Sequence, residues 1–499
     1  MAGEVDPGSH ARQPAVGAPP SRRQTATVAA CFAAAAFTGV ALTTARLLTP
    51  DAYLDLYAGR WIAAHGLPRH DPFTVEGHGR AWIDQQWLAH LVYYRMWQLG
   101  GYPLVGALSA LLVAIAVGMA AWLIVRRTDS PGITLAVLIP AYLLMLTHTQ
   151  IWAESFAIPL FTLLVALIYD DQRQPDTRTR VLLAIPLIAL WANLHGTVLM
   201  GAAIAAAYGM WGLVTGRSRW RCLTLVLLSP LAAVATPYGA DIGGYYRSVL
   251  GNAAIRQNVN IWGPWSPHSF FSIHFAATAL LAAAAVVWAV RRGYRPDTVP
   301  AALAAGAFLA GVYAIRYQVW FAIPVAIVAA EALAFTSGGA PTLFGQTTRR
   351  AAGAVPLAAA AISAVVLAGT SIGTFQRVVP AATVTAVSHT MRHTPCARVL
   401  ADYAVAPALL WQHPELAGRI GFDTRFEIYP QSRIVGWFRF NDGAPGWDAA
   451  TAGYDLLAIS SSRHPQLAAR IRSAQDWRVS QSDGQGLVAS RPSFRARCE

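Results

Sequence analysis

The sequence predicts an α-helical polytopic membrane protein of about 11 spans that ends in a small extracytoplasmic α/β domain. Three observations carry this. Hydrophobic residues fill 55% of 499 positions and charged residues only 13%, against about 25% charged in an ordinary soluble domain. Long apolar stretches recur, and crossing the ~30 Å hydrocarbon core takes roughly 20 such residues. Short arginine clusters fall on one side of the alternation. Most of the Asp, Glu, His and Asn residues of chemical interest fall on the other.

Taken in order, residues 1–24 form a leader rich in Pro, Gly, Ala and Arg, read as disordered and cytoplasmic. The stretch Thr25–Leu48 is too long for the apolar part of a cleaved signal, so it reads as a retained span. Arg22 and Arg23 place its start in the cytoplasm. Further spans are expected near Val105–Val125, Ile133–Leu146, Phe156–Tyr169, Val181–Asn193, Val198–Val214 and Leu223–Ala235. The last are expected near Phe271–Val290, Val299–Ile315, Trp320–Phe335 and Ala354–Ile372. The inner loops then hold Arg126 and Arg127, Asp170–Arg180, Arg217–Arg221, Arg291–Arg295, and Arg349 with Arg350. Each carries at least two arginines, as the positive-inside rule requires. The transmembrane domain therefore covers 25–374, with a long first outer loop at 49–101, and 375–499 form the outer α/β domain.

In that last segment Arg398–Leu400, Ile420–Phe422, Ile428–Tyr429 and Leu456–Ile459 read as strands, and Leu409–Gln412 and Gln466–Ser473 as helices. Cys31 and Cys222 lie in or beside spans and read as small hydrophobes. Cys396 and Cys498 flank the outer domain, where the compartment permits a disulfide. They read either as a bridge that staples the domain or as two thiols. The net charge of +13 is all arginine and is spread over short loops. That distribution argues against nucleic acid as a partner; membrane lipids are expected partners because the chain is multi-pass.

The first outer loop is long for a passive connector. Two stretches, Asp51–His65 and Trp82–Leu99, read as amphipathic helices whose Trp and Tyr side chains suit the headgroup layer. Asp51 and Asp55 lie four apart and share a helical face. Such a pair can hold a metal or raise one carboxyl pKa. Alternatively Asp51 is a helix N-cap after Pro50, and Asp55 reads best as a solvated residue. Glu154 stands at a span mouth, where an ionised group is costly without a partner or cavity. Asn193 and His195 stand at another; the imidazole can relay protons or bond a neighbouring helix. Arg316 breaks the positive-inside pattern. It reads as a phosphate or carboxylate ligand, or as the ion-pair partner of Glu154 or of an Asp of the first loop. The loop from Thr236 to Trp265, with Tyr238, Tyr245, Tyr246 and Arg247, mixes rings and amides in a way that suits both sugars and membrane interfaces.

The order of motifs resembles bacterial multi-pass proteins related to the GT-C glycosyltransferases, the superfamily of protein O-mannosyltransferases and lipid A aminoarabinose transferases. The motifs are Asp51–Gly59, Gly66–Phe73 (Gly-x-Pro-x-x-Asp-Pro-Phe), Trp82–Leu88, Trp191–Gly196 and Thr236–Gly239. In the outer domain they are Asp402-Tyr403, Leu409-Leu410-Trp411 and Phe422–Tyr429 (Phe-x-Asp-x-Arg-x-x-x-Tyr). The chain departs from the pattern at Ala52, at Ala153-Glu154 and at Ile261. The resemblance implies a glycosyltransferase of the bacterial cell membrane. It would move a sugar from a polyprenyl-phosphate donor to an envelope glycan, lipid or protein at the outer face. It implies Asp51 as catalytic base, Arg316 and Arg247 as phosphate ligands, and Glu154, Asn193, His195 and Tyr238 as further substrate-binding residues. Asp423 and Arg425 are read as structural. No fixed cofactor is implied, though a divalent cation is compatible. The competing reading is a non-catalytic envelope scaffold or a lipid-linked saccharide flippase. A transporter should show internal repeats and mid-membrane polar residues, which the sequence does not display.

Overall fold

The computed structural model describes residues 22–43, 45, 47–146, 149–173, 179–337 and 379–492. The expected span Ala354–Ile372, Arg349, Arg350, Cys498 and most of the leader lie outside these residues. The chain is mostly helical. Four helical segments are long and apolar enough to cross a membrane: α1 (Arg22–Leu42), α3 (Trp87–Thr128), α11 (Phe270–Arg291) and the run Ile315–Thr336, which ends in α13 (Ala322–Thr336). Shorter apolar helices are α4 (Pro131–Leu146), the run Thr179–Trp191 containing α6 (Ala184–Trp191), α7 (Val198–Val214) and α12 (Thr298–Tyr313). Among the described residues, α5 (Glu154–Arg173) and α8 (Arg219–Ala233) also belong to the bundle. Its core is Ala, Val, Leu and Ile, and outward positions such as Leu280, Leu281 and Leu309 are exposed apolar side chains. An apolar surface of that kind suits lipid contact.

A second core lies at one end of the bundle. It joins α2 (Pro50–His65), the first part of α3 and the C-terminal segment. That segment holds α14 (Ala381–Arg392), β1 (Val399–Ala401), α15 (Val405–Gln412), α16 (Gln431–Asn441), β2 (Leu456–Ser460), α17 (Pro465–Ser473), β3 (Arg478–Ser482) and β4 (Gly486–Ser490). The sheet order is β1-β2-β4-β3; β1 and β2 are parallel and the other pairs antiparallel. Central β2 is buried throughout and β4 nearly so, whereas edge strand β3 alternates exposed and half-buried positions. This is the expected burial for a sheet with one solvated edge.

Several local expectations are corrected. Ile428–Tyr429 is not a strand: Phe426–Ile428 form a 3₁₀ turn. Ile420 makes only isolated bridges, to Val399 and Thr74. Those bridges matter, because Val75 N–H donates to Ile420 O at 2.7 Å and Gly418 N–H to Phe73 O at 2.7 Å. The first loop is thereby hydrogen-bonded to the edge of the C-terminal sheet. Helix α2 is not amphipathic at a headgroup layer. Every residue from Ala52 to Gly59 is buried, because α3 covers one side and α15 another. The second helix of the loop starts at Trp87 rather than Trp82 and runs into α3. It is interrupted at Gly100 and Gly101; Gly101 adopts φ 64°, a conformation that glycine takes without steric cost.

Candidate functional site

The junction between the bundle and the C-terminal segment is fixed by a buried ion cluster. Arg425 donates to Asp423 Oδ2 (2.5 Å) and to Asp71 Oδ1 (2.6 Å). Tyr57 and Tyr429 hydroxyls donate to the two oxygens of Asp423, both at 2.9 Å. The guanidinium lies between the Trp82 and Phe73 rings, 4.3 and 5.0 Å from their centroids. A buried charge is tolerated only when paired and hydrogen-bonded in this way. The result is a rigid clamp between the first loop and the 3₁₀ turn Phe426–Ile428.

Beside that clamp is a cavity of about 590 Å³. Asp51 and Asp55 enter it from α2, Glu154 from the start of α5, His195 from the α6–α7 turn and Arg316 from the start of the last helical run. Trp262 and Tyr245 line it from the long aromatic loop, and Thr424 and Glu427 close it from the C-terminal segment. Arg316 Nη2 is 3.7 Å from Glu154 Oε2, and its guanidinium stacks 3.9 Å above the Trp262 ring. Arg316 Nε, Glu154 Oε1 and Asp55 Oδ2 have no hydrogen-bond partner among the described residues. Unsatisfied charged atoms around one cavity call for a polar occupant.

Thr49, not Asp51, caps α2: its Oγ accepts from Ala52 N–H at 3.4 Å, with Pro50 in the first helical turn. Asp51 is thus released from the capping role. It is half-buried, with its carboxyl held up at about 6 by burial and by the neighbouring Asp55, offset in part by Arg316 and His90. Asp55 is not solvated, contrary to its expected place; it is 2% exposed. His90 explains how this is tolerated. Its Nδ1 meets Asp84 Oδ2 at 2.8 Å and its Nε2 lies 3.2 Å from Asp55 Oδ1. A ring nitrogen facing each carboxylate gives both buried groups a polar partner. At His195, burial and the nearby Arg316 depress the pKa well below the ordinary value, so the ring is neutral. Thr197 N–H donates to its Nδ1 at 3.4 Å, which leaves Nε2–H as a donor. Burial raises Glu427 to about 7.

Asn193, Tyr238 and Arg247 are not brought into this cavity. The Asn193 amide bonds Ala189 O, Ala235 O and the Trp87 indole at 2.8–2.9 Å and so ties turns together. The Tyr238 hydroxyl donates to Pro68 O at 3.1 Å. Arg247 is exposed and, among the described residues, reaches only Gly243 O, one helical turn back, at 3.3 Å. Cys396 is exposed in the turn before β1, and its expected partner lies outside the described residues. Asp84, His90 and Glu427 are not singled out by sequence, and Asp55 is paired with Asp51 there but read as solvated. The signal for Asp55 was its spacing from Asp51. Nothing local marks Glu427, because the segment that carries it folds onto the site from far along the chain. Among the described residues, no group of three or more His, Cys, Asp or Glu is arranged to hold a metal.

Below the polar cavity lies an apolar groove of about 460 Å³ between α7 and α12, lined by Ile204, Trp211, Leu303 and Ala307. Met200 and Ala310 line both spaces. The groove runs from Ala310 to Thr298 on α12, a helical rise of about 18 Å.

These features define a mostly helical membrane protein with an acidic and cationic cavity at one end of its bundle and an apolar groove beside it that shares Met200 and Ala310 with it. Among solved structures the chain is similar to ArnT from Cupriavidus metallidurans bound to undecaprenyl phosphate. The two share 15% identity over 92% of this chain and 98% of that one, with a TM-score of 0.49. No family model matches the chain, and no curated protein does.

Proposed function

We propose that the protein is a GT-C-like membrane glycosyltransferase that moves a sugar from a polyprenyl-phosphate donor to an envelope acceptor at the outer membrane face. The observation that carries this reading is the adjacency of the polar cavity to the groove between α7 and α12, with Met200 and Ala310 lining both. A ligand with a charged head and a long apolar tail fits that shape, and a small polar metabolite has no use for the groove. Arg316 is the phosphate ligand: a guanidinium stacked on Trp262 presents its remaining N–H groups to an oxyanion. Asp51 is the base. It takes the proton of the acceptor hydroxyl as the new glycosidic C–O bond forms and the sugar–phosphate C–O bond breaks. The charge left on the phosphate is met by Arg316. His195 Nε2–H and Glu427 are positioned to hydrogen-bond sugar or acceptor hydroxyls. No step is routed through a metal ion.

The test is made in cells that carry only the Asp51→Asn protein. Loss of an envelope glycan matching that of the full deletion, with the variant present in the membrane at normal level, is the expected outcome. Normal glycan in those cells, against clear loss in the deletion, moves the assignment to a scaffold or flippase.

A further inference from the structure

We propose that the arginine-lined pocket at the other end of the bundle is a second ligand site, one that binds an anionic phosphate group. The pocket encloses about 320 Å³ and is lined by Trp122, Arg126, Arg127, Asp170, Arg173 and Arg180, among others. It is remote from the cavity around Asp51. Helix α5 carries Glu154 at one end and Asp170 near the other, and its 20 residues span about 30 Å.

Arginines near helix C-termini often do no more than cap carbonyls and answer the helix dipole. Arg217 behaves in that way: it donates to Asp171 O at 3.3 Å and Gln172 O at 3.1 Å. Arg173 is engaged by Asp297 at 2.8 Å and Glu331 at 2.6 Å. Arg126 and Arg127 are different. Neither donates to a backbone carbonyl among the hydrogen bonds of the described residues. Both lean on the single carboxylate of Asp170, at 3.8 and 3.4 Å, and lie over the rings of Trp122 and Tyr169. Arg180 is exposed at the rim, with no ion pair or hydrogen bond among the described residues. Asp171 is already matched by Arg217 and Arg221. Arg126 and Arg127 therefore share one carboxylate, and Arg180 adds a third guanidinium around the same walled space.

A phosphate group supplies the missing charge and accepts the paired N–H groups of an arginine fork. Trp122 sits at the helix end, where an indole suits the headgroup layer. The same chemistry is offered by an anionic lipid headgroup and by a free phosphate. The geometry does not draw on the glycosyltransferase reading, and it stands if that reading fails.

The full chain, purified in a neutral detergent, is titrated with dihexanoyl phosphatidylglycerol, dihexanoyl phosphatidylcholine and inorganic phosphate by calorimetry. The anionic lipid or the phosphate should bind at least about tenfold more tightly than the zwitterionic lipid, and Arg126→Gln/Arg180→Gln should lose about tenfold or more of that affinity. Ligand-free melting of the double variant reports its folding. If it is impaired, Arg180→Gln alone, at an exposed side chain without partners, serves instead. Displacement of phosphatidylglycerol by millimolar phosphate identifies a soluble ligand; retention of the lipid identifies a headgroup. Equal affinity for both lipids with no phosphate binding, or variant affinity within twofold of the parent, overturns the proposal.

Discussion

At the scale of single residues, the site turns on which carboxyl carries a proton. Burial holds the Asp51 carboxyl at about 6, above its ordinary 3.8, so the folded chain favours the neutral acid. The stability this group contributes is present below about 3.8 and is lost as pH rises through about 6. Asp51→Asn mimics the neutral form. The variant should melt higher than the parent at pH 8 and alongside it at pH 4 by scanning fluorimetry in detergent. In a transfer assay the same change should lower the rate by about 10²–10⁴, the usual worth of a general base. A melting gap that is equal at both pH values removes the electrostatic argument. Asp51, Glu154, His195 and Arg316 stood out in the sequence because each ends an apolar run, where an ionisable group needs a reason. Asn193 stood out for the same reason, yet its amide is consumed by Ala189 and Ala235. Residue type alone does not separate a ligand from a turn-tying amide. Asp55 was misread because α3 packs against α2 and brings His90 onto it, a tertiary contact that local spacing does not show.

At the scale of elements, α2 works as a wedge between α3 and the C-terminal segment. Its fit to α3 depends on Gly59, where an added Cβ would meet His90 O at 2.1 Å. Backbone on α3 does not yield as a flexible side chain would. Gly59→Ala should therefore cost about 1–3 kcal/mol, seen as a lower denaturation midpoint, and should disturb the Asp55–His90 contact directly above it. The Arg425 cluster sets a second limit. Arg425→Leu would leave Asp71 and Asp423 facing each other without a cation, and removing one partner of a buried pair costs about 3–5 kcal/mol. Limited proteolysis should then cut the C-terminal segment at protease levels that spare the parent. Resistance equal to the parent's would mean that apolar packing alone holds the two parts together. The apolar helices were legible from length and hydropathy. The sheet was only half legible: β1 and β2 are short buried runs with clear aliphatic content, whereas β3 and β4 are polar or small-residue strands defined by their pairing. Ile420–Phe422 and Ile428–Tyr429 read as short strands, but Phe422 and Phe426 pack on Trp437 and Tyr429 donates into the Arg425 clamp, with no ladder between them.

At the scale of the whole molecule, the arginine clusters and the polar cavity divide the two ends of the bundle, and the proposed orientation puts the cavity outside. An exposed position in the β3–β4 turn offers a test. Asp483→Cys should react with a membrane-impermeant maleimide in intact cells, while a cysteine at Arg180 should react only after permeabilisation; the reverse pattern inverts the topology. The same preparation tests the proposed staple. Cys396 and Cys498 should resist alkylation until a reductant is added, and full labelling without reduction excludes the bridge.

The clamp of Asp71 to Arg425 joins positions 354 residues apart. Ribosomes extend a chain at about 5–20 residues per second, so the first loop waits on the order of 20–70 s for the partner that completes its fold. During that interval Tyr57 and Arg60 of α2 lack their partners Asp423, Leu410 and Trp411, and Glu427 does not yet exist. The cavity is therefore assembled last, as a keystone is set after the arch. A nascent or prematurely terminated chain holds the helices and most of the charged side chains without a closed site. Quality control that recognises the uncovered face of α2 would distinguish finished from unfinished molecules.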